Sequence, residues 1–135
     1  MESTIPIRAS LNAIILYVRD VESLKRFYTG IFGFGVLEEQ KGVWVLLDTG
    51  QAQVGLHAIG EAYRANLNPD HKADNNVKLV FETEQGLTEL RAALINREVP
   101  MREIKTFDGY AYWLCDGQDP EGNVFQLKQS KAHQK

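Results

Sequence analysis

One order of elements, strand, helix and three strands, is read twice along these 135 residues. The two opening strands lie about 65 residues apart. In the first half, residues 11–18 (Leu-Asn-Ala-Ile-Ile-Leu-Tyr-Val) are β-rich and mostly apolar. Asp20 offers a helix N-cap. Val21, Leu24, Phe27, Tyr28 and Ile31 then recur at helical spacing, and Gly33 supplies a stop. Strand-like segments follow at 35–39, 43–48 and 53–59, punctuated by Lys41-Gly42 and Thr49-Gly50. Residues 60–76 are polar, rich in turn residues and aperiodic, and read as a linker. The second half repeats the order. It has a strand at 77–82 and a helix at 84–96 with Leu87, Leu90, Ala93 and Leu94 on one face. Strands are expected near 102–106, 110–115 and 123–128, the last entered through the turn Asp119-Pro-Glu-Gly122. The whole is a single α+β domain with modules at about 9–59 and 77–129.

Strand alternation assigns faces. Ile14, Leu16 and Val18 oppose Ala13, Ile15 and Tyr17. Val54, Leu56 and Ala58 oppose Gly55 and His57. Val77, Leu79 and Phe81 oppose Lys78, Val80 and Glu82. Phe125 and Leu127 oppose Val124, Gln126 and Lys128. One face is apolar each time and suits packing under helices. The other mixes small, aromatic and polar groups. Such a face suits a ligand cleft, and it equally suits solvent or a dimer contact.

Composition narrows the classes. Hydrophobic residues make up 44% and charged residues 24%, which is globular rather than disordered. A net charge of −3 builds no surface for phosphates, so nucleic acid is not an expected partner. No apolar run is long enough to span a bilayer, and residues 1–10 carry no apolar leader core. The lone Cys115 excludes an internal disulfide and a Cys-rich zinc site. It fits a reducing compartment and reads as a buried, inert thiol, so a cytoplasmic protein is expected. With histidines only at 57, 71 and 133, no Ser/His/Asp order is legible. No Gly-rich loop opens a helix, so no phosphate cradle is present.

Three stretches carry a resemblance. Residues 11–34 run from the first strand through the Asp cap and Phe27-Tyr28 to Gly33-Phe34. Residues 77–84 lead into the second helix. Asp119-Pro-Glu-Gly-Asn-Val-Phe-Gln-Leu127 closes the chain. Together they resemble the vicinal oxygen chelate superfamily of glyoxalases, bleomycin resistance proteins and extradiol dioxygenases. The resemblance implies paired βαβββ modules, a curved and mostly antiparallel sheet with a cleft, and helices on the outer face. It also implies a homodimer, often with exchanged modules. Members hold a divalent metal through His, Glu or Gln on the first and last strand of each module, and the metal acts as a Lewis acid on two neighbouring substrate oxygens.

The positions equivalent to those ligands are Ala13, Gly55, Lys78 and Gln126. Ala and Gly offer no donor, an ammonium repels a cation, and one amide oxygen does not hold a first-row metal. No cofactor is therefore expected. The expected function is metal-independent binding of a small, aromatic molecule, as in the bleomycin-resistance branch. The alternative is one divalent metal in a nonstandard site built on His57, Gln126 and a carboxylate such as Glu39 or Glu82, serving a lyase, isomerase or dioxygenase. A third reading is a metal-free enzyme with Lys78 or His57 as base, or a protein partner docked on the sheet. The candidate ligand-binding residues are Ala13, Ile15, Tyr17, Trp44, Gly55, His57, Lys78, Val80, Tyr112, Trp113 and Gln126. Lys78 either meets an anionic ligand or pairs with an acid, Glu82 or another.

Overall fold

The computed structural model describes residue 6 and residues 8–64, 67–74 and 76–133. The chain divides into two compact units, residues 1–59 and 60–135. The expectation that residues 1–10 carry no leader core falls partly outside the described residues, and the linker reading at 65, 66 and 75 wholly outside them. Among the described residues no helix is long and apolar enough to cross a membrane.

In the first unit, β1 (Ala13–Val18), α1 (Val21–Ile31), β2 (Gly35–Gln40), β3 (Trp44–Asp48) and β4 (Gln53–Ala58) follow in order. The sheet runs β1-β4-β3-β2, with β1 parallel to β4 and the other pairs antiparallel. Helix α1 starts where expected: Asp20 is extended and its carboxylate accepts from Ser23 N–H at 3.1 Å. The helix buries Val21, Leu24 and Tyr28 over β3 and β4. Gly33, at φ +71°, turns the chain out of the helix into a left-handed conformation that suits glycine. Val18, Val45, Leu47 and Leu56 complete this core on the helix-covered face. The alternate residues of β1 stay open to solvent, Ile15 at 47% and Tyr17 at 65% of full exposure.

The second unit holds α2 (Glu61–Arg64), β5 (Lys78–Glu82), α3 (Leu87–Asn96), β6 (Tyr112–Gln118), β7 (Val124–Ser130) and a closing 3-10 turn, Lys131–His133. The sheet order is β5-β7-β6, with β5 parallel to β7. The stretch around 72–73, expected as linker, is tied to the β6–β7 turn. Ala73 N–H donates to Glu121 O at 2.6 Å, and Lys72 Nζ donates to Pro120 O at 2.7 Å. That turn is fixed by Asp119, whose Oδ1 accepts from the N–H groups of Glu121 and Asn123 at 2.9 and 3.0 Å.

Two expectations are corrected here. The strand expected at 102–106 is instead a pair of isolated bridges, Met101 to Gly117 and Lys105 to Leu114. The chain advances four residues on one side and three on the other, so a bulge interrupts the ladder. The helix expected from residue 84 begins at Leu87. Thr83 Oγ1 accepts from Gln85 N–H at 3.1 Å, a local turn that competes with the helix. Gly86 then caps without a side chain, and Leu87 N–H donates instead to Oε1 of buried Gln129 on β7, at 3.0 Å.

Candidate functional site

On the open face of the first sheet the registers bring five candidates together. Ile15 lies beside Gly55, Tyr17 beside His57, and Trp44 opposite His57. The Tyr17 and His57 rings have centroids 5.2 Å apart, and the Trp44 and His57 rings 6.0 Å. Trp44 Nε1 donates to Glu38 Oε1 at 3.0 Å, which pins the indole from the neighbouring strand. A Cβ on Gly55 would stand only 2.7 Å from Cζ3 of Trp44 and 3.3 Å from Cγ1 of Ile15. The indole thus lies across the glycine, in the space a side chain there would need. Ala13, half-buried, pairs with Gln53 at the start of the same parallel ladder. His57 Nδ1 is 2.7 Å from Ala58 O. A carbonyl has no proton to give, so Nδ1 is the donor. The result is an aromatic face of Tyr17, His57 and Trp44, floored by a glycine.

The open face of the second sheet has a different chemistry. Lys78 Nζ lies 2.9 Å from Asp116 Oδ2, and Gln126 Nε2 donates to Asp116 Oδ1 at 2.9 Å. Burial pushes the Asp116 carboxyl up, but the hydrogen bonds from Lys78 and Gln126 and the charges of Lys78 and Lys105 outweigh it. The carboxyl is held below its ordinary range. Val80, exposed, pairs with Gln126. Further along, Lys128 Nζ sits 4.1 Å from the Tyr112 ring centroid. A pocket of about 170 Å³ borders Asp116, lined also by Met101, Arg102, Gln118 and Val124.

Asp116 is the site residue that the sequence reading missed. The alternation of β6 was the available signal, because it puts Asp116 on the face of Tyr112. The same alternation corrects Trp113, which pairs with Gln129 and shares the opposite face with Cys115 and Leu127. It does not join the open face. Cys115 Sγ donates to Arg102 O at 3.3 Å. Burial pushes its thiol up, which suits an inert thiol rather than a nucleophile.

The residues do not fit the family's divalent metal. Gly55 is covered by Trp44, and Ala13 has no donor. Lys78 is an ammonium engaged with a carboxylate, and the Gln126 amide donates to that same carboxylate. His57 does have the orientation of a metal-ligating imidazole, with one nitrogen fixed by a carbonyl. Yet among the described residues no group of three or more His, Cys, Asp or Glu could share an ion with it.

Residues 10–127 match the model of the Glyoxalase/Bleomycin resistance protein/Dioxygenase superfamily, and the chain belongs to that family. Solved structures share the fold. Lactoylglutathione lyase from Agrobacterium tumefaciens is 21% identical with a TM-score of 0.71, covering 93% of this chain and 97% of its own. TnmS3, an antibiotic binding protein from Streptomyces sp. CB03234, is 22% identical with a TM-score of 0.67, covering 92% and 98%. A possible glyoxalase from Bacillus cereus is 14% identical with a TM-score of 0.68, covering 89% and 98%. No curated protein sequence matches significantly.

Proposed function

We propose that this protein binds a small, flat aromatic molecule on the open face of its first sheet, without a metal. One observation carries the reading: the Trp44 indole lies across Gly55, with the Tyr17 and His57 rings beside it. Glycine at that position removes a ligand of the family's metal and makes room for a stacking surface at once. Aromatic faces give binding energy to planar ligands beyond the area they bury. The pairing of Lys78 with Asp116 supports the same reading, since it commits the ammonium at a position equivalent to a family metal ligand to a carboxylate of this chain. The binding function printed for TnmS3 is compatible with it, as the lyase is with the metal-dependent alternative, and at these identities neither decides. A homodimer belongs to the proposal, because each sheet taken by itself exposes an apolar side chain that a second copy would cover, Ile15 on the first and Val80 on the second.

The test begins with metal content of the purified protein and thermal shift with Mn, Fe(II), Ni, Zn and Co. A ligand that binds only the native state raises the melting temperature. The expected result is no copurified metal and no shift, followed by saturable quenching of tryptophan fluorescence by 2-naphthol that Trp44→Leu removes. If about one metal per subunit copurifies and its removal lowers the melt, the metal-free reading fails and a metal-dependent enzyme takes its place.

A further inference from the structure

We infer that His57 selects among flat aromatic ligands, through its Nε2, those that carry an in-plane hydrogen-bond donor such as a phenolic hydroxyl or a ring N–H. The inference rests on the aromatic face proposed above and names what that face discriminates.

The argument starts from the tautomer. Ala58 O can only accept, so the 2.7 Å contact puts a proton on Nδ1. In the neutral ring this leaves Nε2 with a lone pair and no hydrogen. Among the described residues Nε2 has no hydrogen-bond partner, and it is not among the buried polar atoms left unpaired, so it meets solvent. Its two ring neighbours, Tyr17 and Trp44, stand on either side of it on adjacent strands. The one polar hydrogen of Trp44 is committed to Glu38. The indole therefore contributes stacking and no donor of its own to His57. A ring laid on this face meets at His57 an acceptor whose orientation is fixed by the backbone, with the Tyr17 phenol as its neighbour.

A ligand with an edge donor gains a bond to Nε2. A ligand of equal shape without one leaves that acceptor desolvated and unmet, which disfavours it. Selectivity of this kind comes from the unsatisfied partner more than from the satisfied one.

The experiment compares 2-naphthol with 2-methoxynaphthalene, which keeps the rings and lacks the donor. Binding is read by fluorescence titration of each probe into the protein in one buffer. Wild-type protein is expected to bind 2-naphthol about threefold to tenfold more tightly, the range of one net hydrogen bond. In His57→Phe the two probes should bind alike, whatever the change in their common affinity. Tyr17→Phe should keep the preference, which separates His57 from the nearby phenol. Equal binding of both probes by wild type overturns the inference and leaves the aromatic face standing. Survival of the preference in His57→Phe, or its loss in Tyr17→Phe alone, also overturns it. Binding of neither probe to wild type overturns the aromatic-face reading itself.

Discussion

Lys78 on β5 reaches over β7 to Asp116 on β6, Nζ to Oδ2 at 2.9 Å, while Gln126 of the intervening strand holds the other carboxylate oxygen. The Asp116 side chain is 9% exposed and that of Lys78 43%. The acid is thus the desolvated partner, and Lys78, with help from Gln126 and Lys105, offsets that burial. Lys78→Met removes the cation and leaves burial to dominate, so the Asp116 carboxyl rises. Because water reaches Lys78, the cost at neutral pH is set at about 1–2 kcal/mol, below that of a fully buried pair. In the wild type a carboxyl depressed in the fold contributes stability above its unfolded value, and that contribution fades as pH falls through and below 3.8. In the variant a raised carboxyl favours protonation and contributes in acid instead. The stability gap between the two proteins should therefore narrow as pH falls through and below 3.8. Urea unfolding at several pH values measures it, and a gap that stays constant would show that the pair does not govern Asp116.

The contact of Trp44 with the Gly55 backbone makes a second prediction. Gly55→Ala puts a methyl 2.7 Å from Cζ3 of the indole, so the ring must tilt away and strain its bond to Glu38. The ring tip is a side-chain end and can yield, so the expected loss is about 1–2 kcal/mol rather than unfolding. Trp44→Leu removes the clash, and the same Gly55→Ala change should cost far less in that background. Chemical denaturation of the four proteins gives the coupling energy. A coupling near zero would mean that the indole does not rest on the glycine.

The contrast between what was legible and what was not is physical. Strong apolar periods and an Asp cap made β1 and α1 readable to within about two residues, because local propensity and burial agree there. Residues 102–106 carry β-compatible composition, but a bulge depends on register against β6, which no local pattern encodes. The open-face positions of Ala13, Gly55, Lys78 and Gln126 followed from alternation. What fills the space around them did not. Trp44 over Gly55 is a cross-strand contact, and Lys78 with Asp116 joins strands 38 residues apart in sequence, since position 78 meets position 116. Tyr112 and Trp113 are both candidates as aromatic side chains, yet neighbours in a strand point to opposite faces, and only Tyr112 shares the face of Asp116.

The start of α3 gives the last prediction, and it tests a cap supplied from a distant strand. Gly86 has no side chain to satisfy the first N–H groups of the helix, and Gln129, 3% exposed, reaches Leu87 N–H from β7 at 3.0 Å. Gln129→Ala removes the acceptor and leaves a buried donor unmet. The expected cost is about 1–2 kcal/mol, combining a lost cap with an unsatisfied group. Gly86→Ser places a hydroxyl where a cap normally sits. Its Cβ would come within 2.8 Å of Glu89 Oε2, the free end of a flexible side chain that can swing away. The backbone there is already extended, at φ −64° and ψ 125°, as a capping serine prefers. A capping serine accepts from the second or third helical N–H, here Thr88 or Glu89, and not from Leu87. Gly86→Ser should therefore stabilise the wild type and Gln129→Ala by similar amounts without restoring the bond lost at Leu87, as denaturant midpoints would reveal. A gain confined to the Gln129→Ala background would mean that the two side chains serve the same donor, and the assignment of Leu87 N–H to Gln129 would fail.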